Sequence, residues 1–298
     1  MNDSPLVSIL MLVYNQEQYI RDALQSIVTQ KYKNFEVIIS DDCSIDSSVS
    51  IIKDFIATHN IGCTITLNLN KENLGISKNF ETGVALCRGQ YICLAAGDDI
   101  SADNRLSSSM TSFIDNPDLA AVFSNLKIID ESGSLKHDYF QEKPIYSRNL
   151  SDVIAGRPIW SIGASLCFKR DLLDKFSGFI PGTYQEDGVL AYRALLIGSF
   201  EFIAEPLVYY RVHSNNASQN ISLEKKVFFK SQELYLIRNA IKDTNEFMSL
   251  NEDKEKILAV LRYRYFRLKI LNHFLSINAF AKLAFITSNI LRKMAFRR

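Results

Sequence analysis

Three pairs of neighbouring acids stand out in this 298-residue chain: Asp41-Asp42, Asp98-Asp99 and Glu186-Asp187. Like charges held together cost free energy unless a cation or hydrogen-bond donors meet them. The first pair closes the run "EVIIS" and the second closes "YICLAAG". Both stand at the end of a strand pattern, where open α/β sheets bind ligands. Hard divalent cations take oxygen ligands, and Mg²⁺ is held by one or two carboxylates plus substrate phosphates. Asp98 and Asp99 suit a metal that stabilises a leaving diphosphate. Asp42 suits hydrogen-bond donors of a base or ribose. Glu186-Asp187 opens a helical pattern, and a carboxylate there can take the proton of an acceptor hydroxyl. Capping of the following helix is the other reading of each acid. His213, after a strand in "YRVHS", is a candidate ligand or acid–base group, or a structural histidine. Trp160, the single tryptophan, stacks on an acceptor sugar or packs in the core. Asn73 and Gly75 read as a turn that also lines the pocket.

The elements that must position these residues alternate. Apolar runs at Val7–Val13, Phe35–Ser40, Cys63–Leu67, Tyr91–Ala95 and Ala120–Ile129 read as strands. Helical spacing recurs through Tyr19–Val28, Val49–Ile56 and Ser77–Cys87. This order with short links predicts a mainly parallel sheet covered on both faces. Beyond Asp130, short strands are expected at Ala164–Lys169, Phe200–Ala204 and Leu207–Tyr210. An acidic loop leads into a helix within Thr183–Gly198, and helices dominate from Leu223. The expected division is a catalytic domain over 1–222 and a basic amphipathic helical region over 223–298.

The net charge is +1, but Lys254–Arg298 carries eleven Lys/Arg against the single acid Glu255. That segment holds about +10, leaving about −9 on the rest. Within it, Leu261, Tyr265, Leu268, Leu271 and Leu275 recur every three or four residues, with Arg262, Arg264, Arg267 and Lys269 between them. Phe274, Phe280, Leu283, Phe285, Ile286 and Ile290 extend the apolar content. Basic, aromatic, amphipathic helices lie on anionic membrane surfaces; packing on the catalytic domain, or dimerisation, is the alternative. No recognised nucleic-acid motif accompanies the charge, so nucleic acid is not an expected partner. The five cysteines, Cys43, Cys63, Cys87, Cys93 and Cys167, form no C-x-x-C pair and read as hydrophobic filler in a reducing compartment. The start, "MNDSPLVSILMLVYNQ", reads as a first strand rather than a signal peptide.

In order and spacing, several segments together resemble inverting glycosyltransferase family 2: "VSILMLVYNQEQYIRDALQSIVTQKYKNFEVIISDDCSIDSS", "ENLGISKNF", "GQYICLAAGDDI", "QEDGVLAYRALLIG" and "YRVHSNNAS". The resemblance spans roughly residues 5–218. It implies an α/β, Rossmann-like GT-A fold with a mainly parallel central sheet, here followed by a C-terminal helical extension. It further implies a nucleoside-diphosphate sugar donor, UDP-type favoured, and a divalent metal, Mn or Mg. By the same carry-over, Val13, Tyr14 and Asn15 line the nucleotide pocket, and Asp42 or Asp41 contacts the base. Asn73, Gly75 and Lys78 lie near the nucleotide. Asp98 and Asp99 bind metal, Asp98 also touching the nucleotide, and His213 sits close to the metal or diphosphate. Glu186-Asp187 supplies the catalytic base, for which Asp187 is the choice. Family members often carry an arginine in place of Lys78 and a further Asp in place of Ala96. With the basic tail, these features lead to an expectation of a saccharide or polyprenyl-diphosphate-linked acceptor in surface-polysaccharide assembly. The protein would then be cytoplasmic, peripheral on the inner face of the cytoplasmic membrane, with an oligomer possible. A Mg²⁺-dependent phosphohydrolase and a non-catalytic sugar-nucleotide scaffold are the rival readings.

Overall fold

The computed structural model describes residues 4–59, 62–214 and 223–295; for 223–230 and 274–295 only the backbone is described. The elements alternate through the first half: β1 (Val7–Val13), α1 (Ile20–Val28), β2 (Phe35–Asp41), α2 (Ser48–Thr58), β3 (Thr64–Leu69), α3 (Ile76–Val84) and β4 (Tyr91–Ala96). Then come β5 (Ile100–Ser101), α4 (Arg105–Asp115), β6 (Leu119–Ile129), β7 (Leu135–Asp138) and α5 (Leu150–Ile154). A 3-10 turn at Gly163–Ser165 leads into β8 (Cys167–Lys169) and α6 (Asp171–Asp174). The chain ends in α7 (Glu186–Ile197), β9 (Ser199–Arg211), α8 (Leu223–Phe247) and α9 (Glu252–Ala295).

Among the described residues a nine-stranded sheet runs β3-β2-β1-β4-β8-β6-β9-β5, with β7 beside β6. The β3-β2-β1-β4 half and the β6-β9 pair are parallel, whereas β8 runs antiparallel to both its neighbours. Side chains alternate across a strand, and the core divides accordingly. Met11, Val37 and Ile39 pack with Ile20, Leu24, Phe55, Leu106 and Phe113 on one face. Leu10 and Ile38 pack with Phe80, Phe123, Leu190 and Leu195 on the other. Every residue of β2 is buried, which explains its apolar centre Val37–Ile39.

The helical extension is built into the second core. Ala240 of α8 and Ile257 and Leu261 of α9 share the cluster of Phe168 and Leu190. Tyr192 and Thr244 share a buried hydrogen bond of 2.6 Å. Arg193 Nε donates to Asp243 Oδ2 at 2.9 Å, with both side chains sealed from water. Among the described residues no helix is long and apolar enough to cross a membrane. The expected apolar residues at 274 and beyond lie outside the described side chains.

Three local expectations are revised. Phe200–Ala204 and Leu207–Tyr210 belong to one strand, β9, whose pairing with β6 shifts register around Asn125 and Pro206. Proline lacks the N–H for the ladder, so it reads as a break in sequence but is tolerated at an irregularity. Helix α4 was not anticipated, because its serines mask the apolar spacing Leu106, Met110, Phe113. Cys93 and Cys167, expected as filler, form a disulfide. They are 74 residues apart, but the antiparallel register of β4 and β8 sets them opposite each other.

Candidate active site

The C-terminal ends of β1, β2 and β4 form one rim. Val13 pairs with Asp41, and its carbonyl accepts from Asp42 N at 2.9 Å. Beyond it Tyr14 is 45% exposed, and Asn15 takes a left-handed φ of 52°, which asparagine tolerates. Asn15 N donates to Ser44 Oγ, while Asn15 Oδ1 accepts from Ile45 N, each at 2.9 Å. Glu17 N donates to Asp46 Oδ2 at 3.0 Å. The loops after β1 and β2 are therefore laced together.

Both acids of the first pair are occupied by the chain itself. Asp41 accepts from Ser44 N (2.9 Å) and Ser44 Oγ (2.5 Å). Asp42 accepts from Asn70 Nδ2 (3.0 Å), Leu74 N (2.8 Å) and Gly75 N (2.9 Å). Their exposures are 1% and 4%. Three loop amides, the Ser44 hydroxyl and the Asn70 amide meet these carboxylates, because two buried carboxylates need partners before any ligand arrives. Asn73 Oδ1 also accepts from Gly75 N at 3.1 Å, and Gly75 has φ 79°, a conformation glycine adopts without strain. Lys78 is exposed on α3.

At the end of β4, Gly97 N donates to Leu12 O at 3.2 Å. A Cβ at Gly97 would meet Gln16 Oε1 at 2.3 Å, so a larger residue in this turn would push the Gln16 side chain aside. The next two acids diverge. Asp98 Oδ2 lies 3.0 Å from His213 Nε2. Asp99 is 6% exposed and turns toward β9, where its Oδ1 accepts from Arg211 N at 2.9 Å. Its Oδ2 has no hydrogen-bond partner. Burial, and then the charge of Asp98, push the Asp99 carboxyl well above the usual carboxylate range. Arg211 ties the corner together: Nε donates to Asp98 O at 3.0 Å, Nη1 donates to Glu131 O at 2.9 Å, and the guanidinium lies over Tyr19. Tyr19 in turn packs against the His213 ring at 4.7 Å.

Asp98 and His213 form a pair; among the described residues no group of three His, Cys, Asp or Glu side chains is arranged to hold a metal ion. A pair still fits a divalent cation whose remaining ligands are diphosphate oxygens and water. The unpartnered oxygen of Asp99 beside it marks a position where positive charge is favourable.

The third pair stands in the first turn of α7. Asp187 Oδ2 accepts from Gly163 N at 3.1 Å and Oδ1 from Gly188 N at 2.8 Å. Its carbonyl accepts from Ser161 Oγ at 3.0 Å. Burial raises the Asp187 carboxyl pKa against the pull of these two amides. Glu186 is 5% exposed, and its Oε2 has no partner. Burial, with Asp187 beside it, pushes Glu186 up to about 8. Leu94 N donates to Leu166 O at 2.9 Å, and continuing that antiparallel register sets Gly163–Ser165 beside the C-terminal end of β4. The acids of α7 and the Asp98 turn thus border the same end of one strand. Trp160 packs on Phe123 and Phe140, each 5.6 Å away, and its Nε1 donates to Ile145 O at 3.2 Å. It is a packed residue next to the Ser161–Gly163 segment that holds Asp187.

Sequence reasoning did not single out Arg211, Tyr19 or Gly163. Arg211 had a signal: it closes β9 two residues before His213. Tyr19 and Gly163 had none, since only the fold brings them to the acids.

A mixed sheet with a carboxylate–histidine pair after β4 and an acid pair opening α7 defines a glycosyltransferase of the GT-A type. The chain belongs to Glycosyl transferase family 2, whose sequence profile matches residues 8–176. It is 28% identical over 229 residues to an uncharacterized glycosyltransferase of Haemophilus influenzae, covering 73% of this chain and 69% of that one. It is 26% identical over 231 residues to an uncharacterized protein of Mycobacterium tuberculosis, covering 76% of this chain and spanning 64% of that protein's length. S. aureus TarS (residues 1–349) in complex with UDP-GlcNAc superposes with a TM-score of 0.64 at 18% identity, covering 88% of this chain and 72% of that one. The mannosyltransferase PcManGT of Pyrobaculum calidifontis, in complex with GDP-Man and Mn²⁺, gives 0.62 at 18% identity, covering 96% and 76%.

Proposed function

We propose that this glycosyltransferase moves a sugar, with inversion, from a nucleoside-diphosphate sugar to a hydroxyl of a saccharide acceptor. The observation that carries the reading is Asp187: a half-buried carboxylate fixed by two backbone amides, with a raised pKa. A hydroxyl is a poor nucleophile near neutral pH, and a base of raised pKa removes its proton most effectively as the new bond forms. Attack opposite the leaving group inverts the anomeric carbon, so an α-linked donor gives a β-linked product. Glu186, protonated at neutral pH, stays uncharged beside the base and orients it or the acceptor.

The donor's nucleotide lies along the rim of Val13, Tyr14 and Asn15, with Lys78 within the same groove. Asp41 and Asp42 shape its walls by holding the loops, including Asn73 and Gly75. Asp98 and His213 would hold a divalent cation, Mn or Mg, with Asp99 and Arg211 positioning them. Such an ion offsets charge on the departing diphosphate. The UDP-GlcNAc and GDP-Man complexes of the structural neighbours support a nucleotide-sugar donor, and the Mn²⁺ supports the metal. The basic tail supports a lipid-linked acceptor, as in surface-polysaccharide assembly, reached from the cytoplasmic membrane surface.

The test is incubation with a panel of UDP-, GDP-, dTDP- and CMP-sugars, with and without polyprenyl-diphosphate-linked saccharides. Acceptor-dependent release of nucleotide, with a glycosylated product of inverted configuration, is the expected result. Release of inorganic phosphate without acceptor would replace the transferase reading with the phosphohydrolase one.

A further inference from the structure

Helix α9 is apolar on two sides. Ile257, Leu258 and Leu261 are buried and anchor it to the catalytic core. On the opposite side Tyr263, Phe266 and Ile270 follow each other at i, i+3 and i+7, and they are 64%, 63% and 43% exposed. A helix that packs along one side of a globular domain carries polar residues there. The exposed bases Arg262, Arg267 and Lys269 flank this stripe. The sequence continues it with Phe274 and Ile277, and no acid follows Glu255.

A basic pocket adjoins the helix. Arg264 Nη2 donates to Arg157 O at 2.6 Å. Arg157, Arg148 and Lys143 line a cavity of about 460 Å³ together with Pro144, Ile145 and Tyr146. Asp152 pairs with Arg157 at 3.2 Å and with Arg148 at 3.8 Å, so it offsets part of this charge and leaves a net positive pocket. Ile145 is 75% exposed at its lip, and its carbonyl accepts from Trp160 Nε1. Trp160 adjoins Ser161, whose hydroxyl donates to the Asp187 carbonyl. A short run of contacts thus joins α9 and the pocket to the acid pair.

We infer that the outward stripe of α9 and the Lys143–Arg148–Arg157 pocket form one docking surface for an anionic bilayer, with lipid phosphate in the pocket. This rests on the membrane-surface reading above and assigns it to a face. Charge complementarity selects the occupant. Aromatic and aliphatic side chains enter the interfacial layer while flanking bases meet anionic headgroups. A second copy is disfavoured, because pairing α9 with α9 would set Arg262, Arg267 and Lys269 against like charges with no acid between them.

The experiment is flotation of the full-length protein with phosphatidylcholine vesicles, with and without phosphatidylglycerol. Wild type floats with the anionic vesicles. The triple variant Tyr263→Ser, Phe266→Ser, Ile270→Ser keeps its thermal midpoint, since the three sites are exposed, and loses about tenfold or more in partitioning. Arg148→Gln with Arg157→Gln gives a smaller loss that disappears on neutral vesicles. If wild type floats and the triple variant floats equally, the face is wrong and the membrane reading stands. If wild type stays at the bottom with both vesicles, both fall. A triple variant that changes only from dimer to monomer on sizing would show that a second copy covers the stripe.

Discussion

Asp41-Asp42 and Glu186-Asp187 are the same motif put to opposite uses. Each is an adjacent acid pair beside the sheet's active rim. The four oxygens of the first pair accept five hydrogen bonds from within the chain. In the second pair, Asp187 is held by two amides while Glu186 keeps an unpartnered oxygen and a pKa near 8. The carboxylates of the first pair gather donors from two loops and so organise them. Asp187 keeps a raised pKa despite its two amides, beside the buried Glu186, and is poised to exchange a proton. What separates the two is the supply of donors from neighbouring loops, which the acids' own sequence does not specify.

Substitutions can break this contrast. The largest effect is expected at Asp187. Asp187→Asn preserves the shape and the Gly163 contact but removes the base, so turnover should fall by about 10³-fold, with nucleotide binding retained. Measured turnover within tenfold of wild type would move the base elsewhere. Next comes Asp42→Ala, which strips partners from Asn70, Leu74 N and Gly75 N. It should destabilise the fold by about 3 kcal/mol, read from urea unfolding, and would weaken nucleotide binding only through the loop. A fully stable variant that cannot bind nucleotide would restore a direct ligand contact for Asp42.

A third test sharpens the comparison through pH. The folded chain holds a proton on Glu186 up to about 8, whereas the unfolded chain releases it near the ordinary 4.5. Between those values the folded state binds more protons, so stability falls as pH rises. Glu186→Gln cannot ionise, and unfolding free energies measured at a series of pH values should show a flatter slope across this window. An unchanged slope would assign the dependence to other groups.

Much of this architecture was legible because burial writes itself into sequence. Continuous apolar runs announced β1, β2, β4 and β6, and strand-end acids announced the rim. The positions of Asp98, His213 and Asp187 were readable as motifs. Their partners were not: the Asp187–Gly163 bond crosses 24 residues, and the Asp99–Arg211 bond crosses 112. The division of labour between Asp98 and Asp99 depends on which way each side chain turns at the Gly97 corner. The Cys93–Cys167 pairing depends on a register between strands far apart in sequence. Trp160 reads in sequence as a sugar platform or a core residue, and its packing, half-buried, on Phe123 and Phe140 exists only in the fold.

The most direct test of the central claim, that donor binding and proton removal reside in different acids, is calorimetric titration with UDP and GDP. Wild type, Asp98→Asn and Asp187→Asn are each titrated in Mn²⁺, Mg²⁺ or EDTA. Wild type and Asp187→Asn should bind one nucleotide more tightly with metal than with EDTA, while Asp98→Asn shows no metal-dependent gain. Equal loss of binding in both folded variants, or metal-dependent tightening retained in Asp98→Asn, would contradict the account.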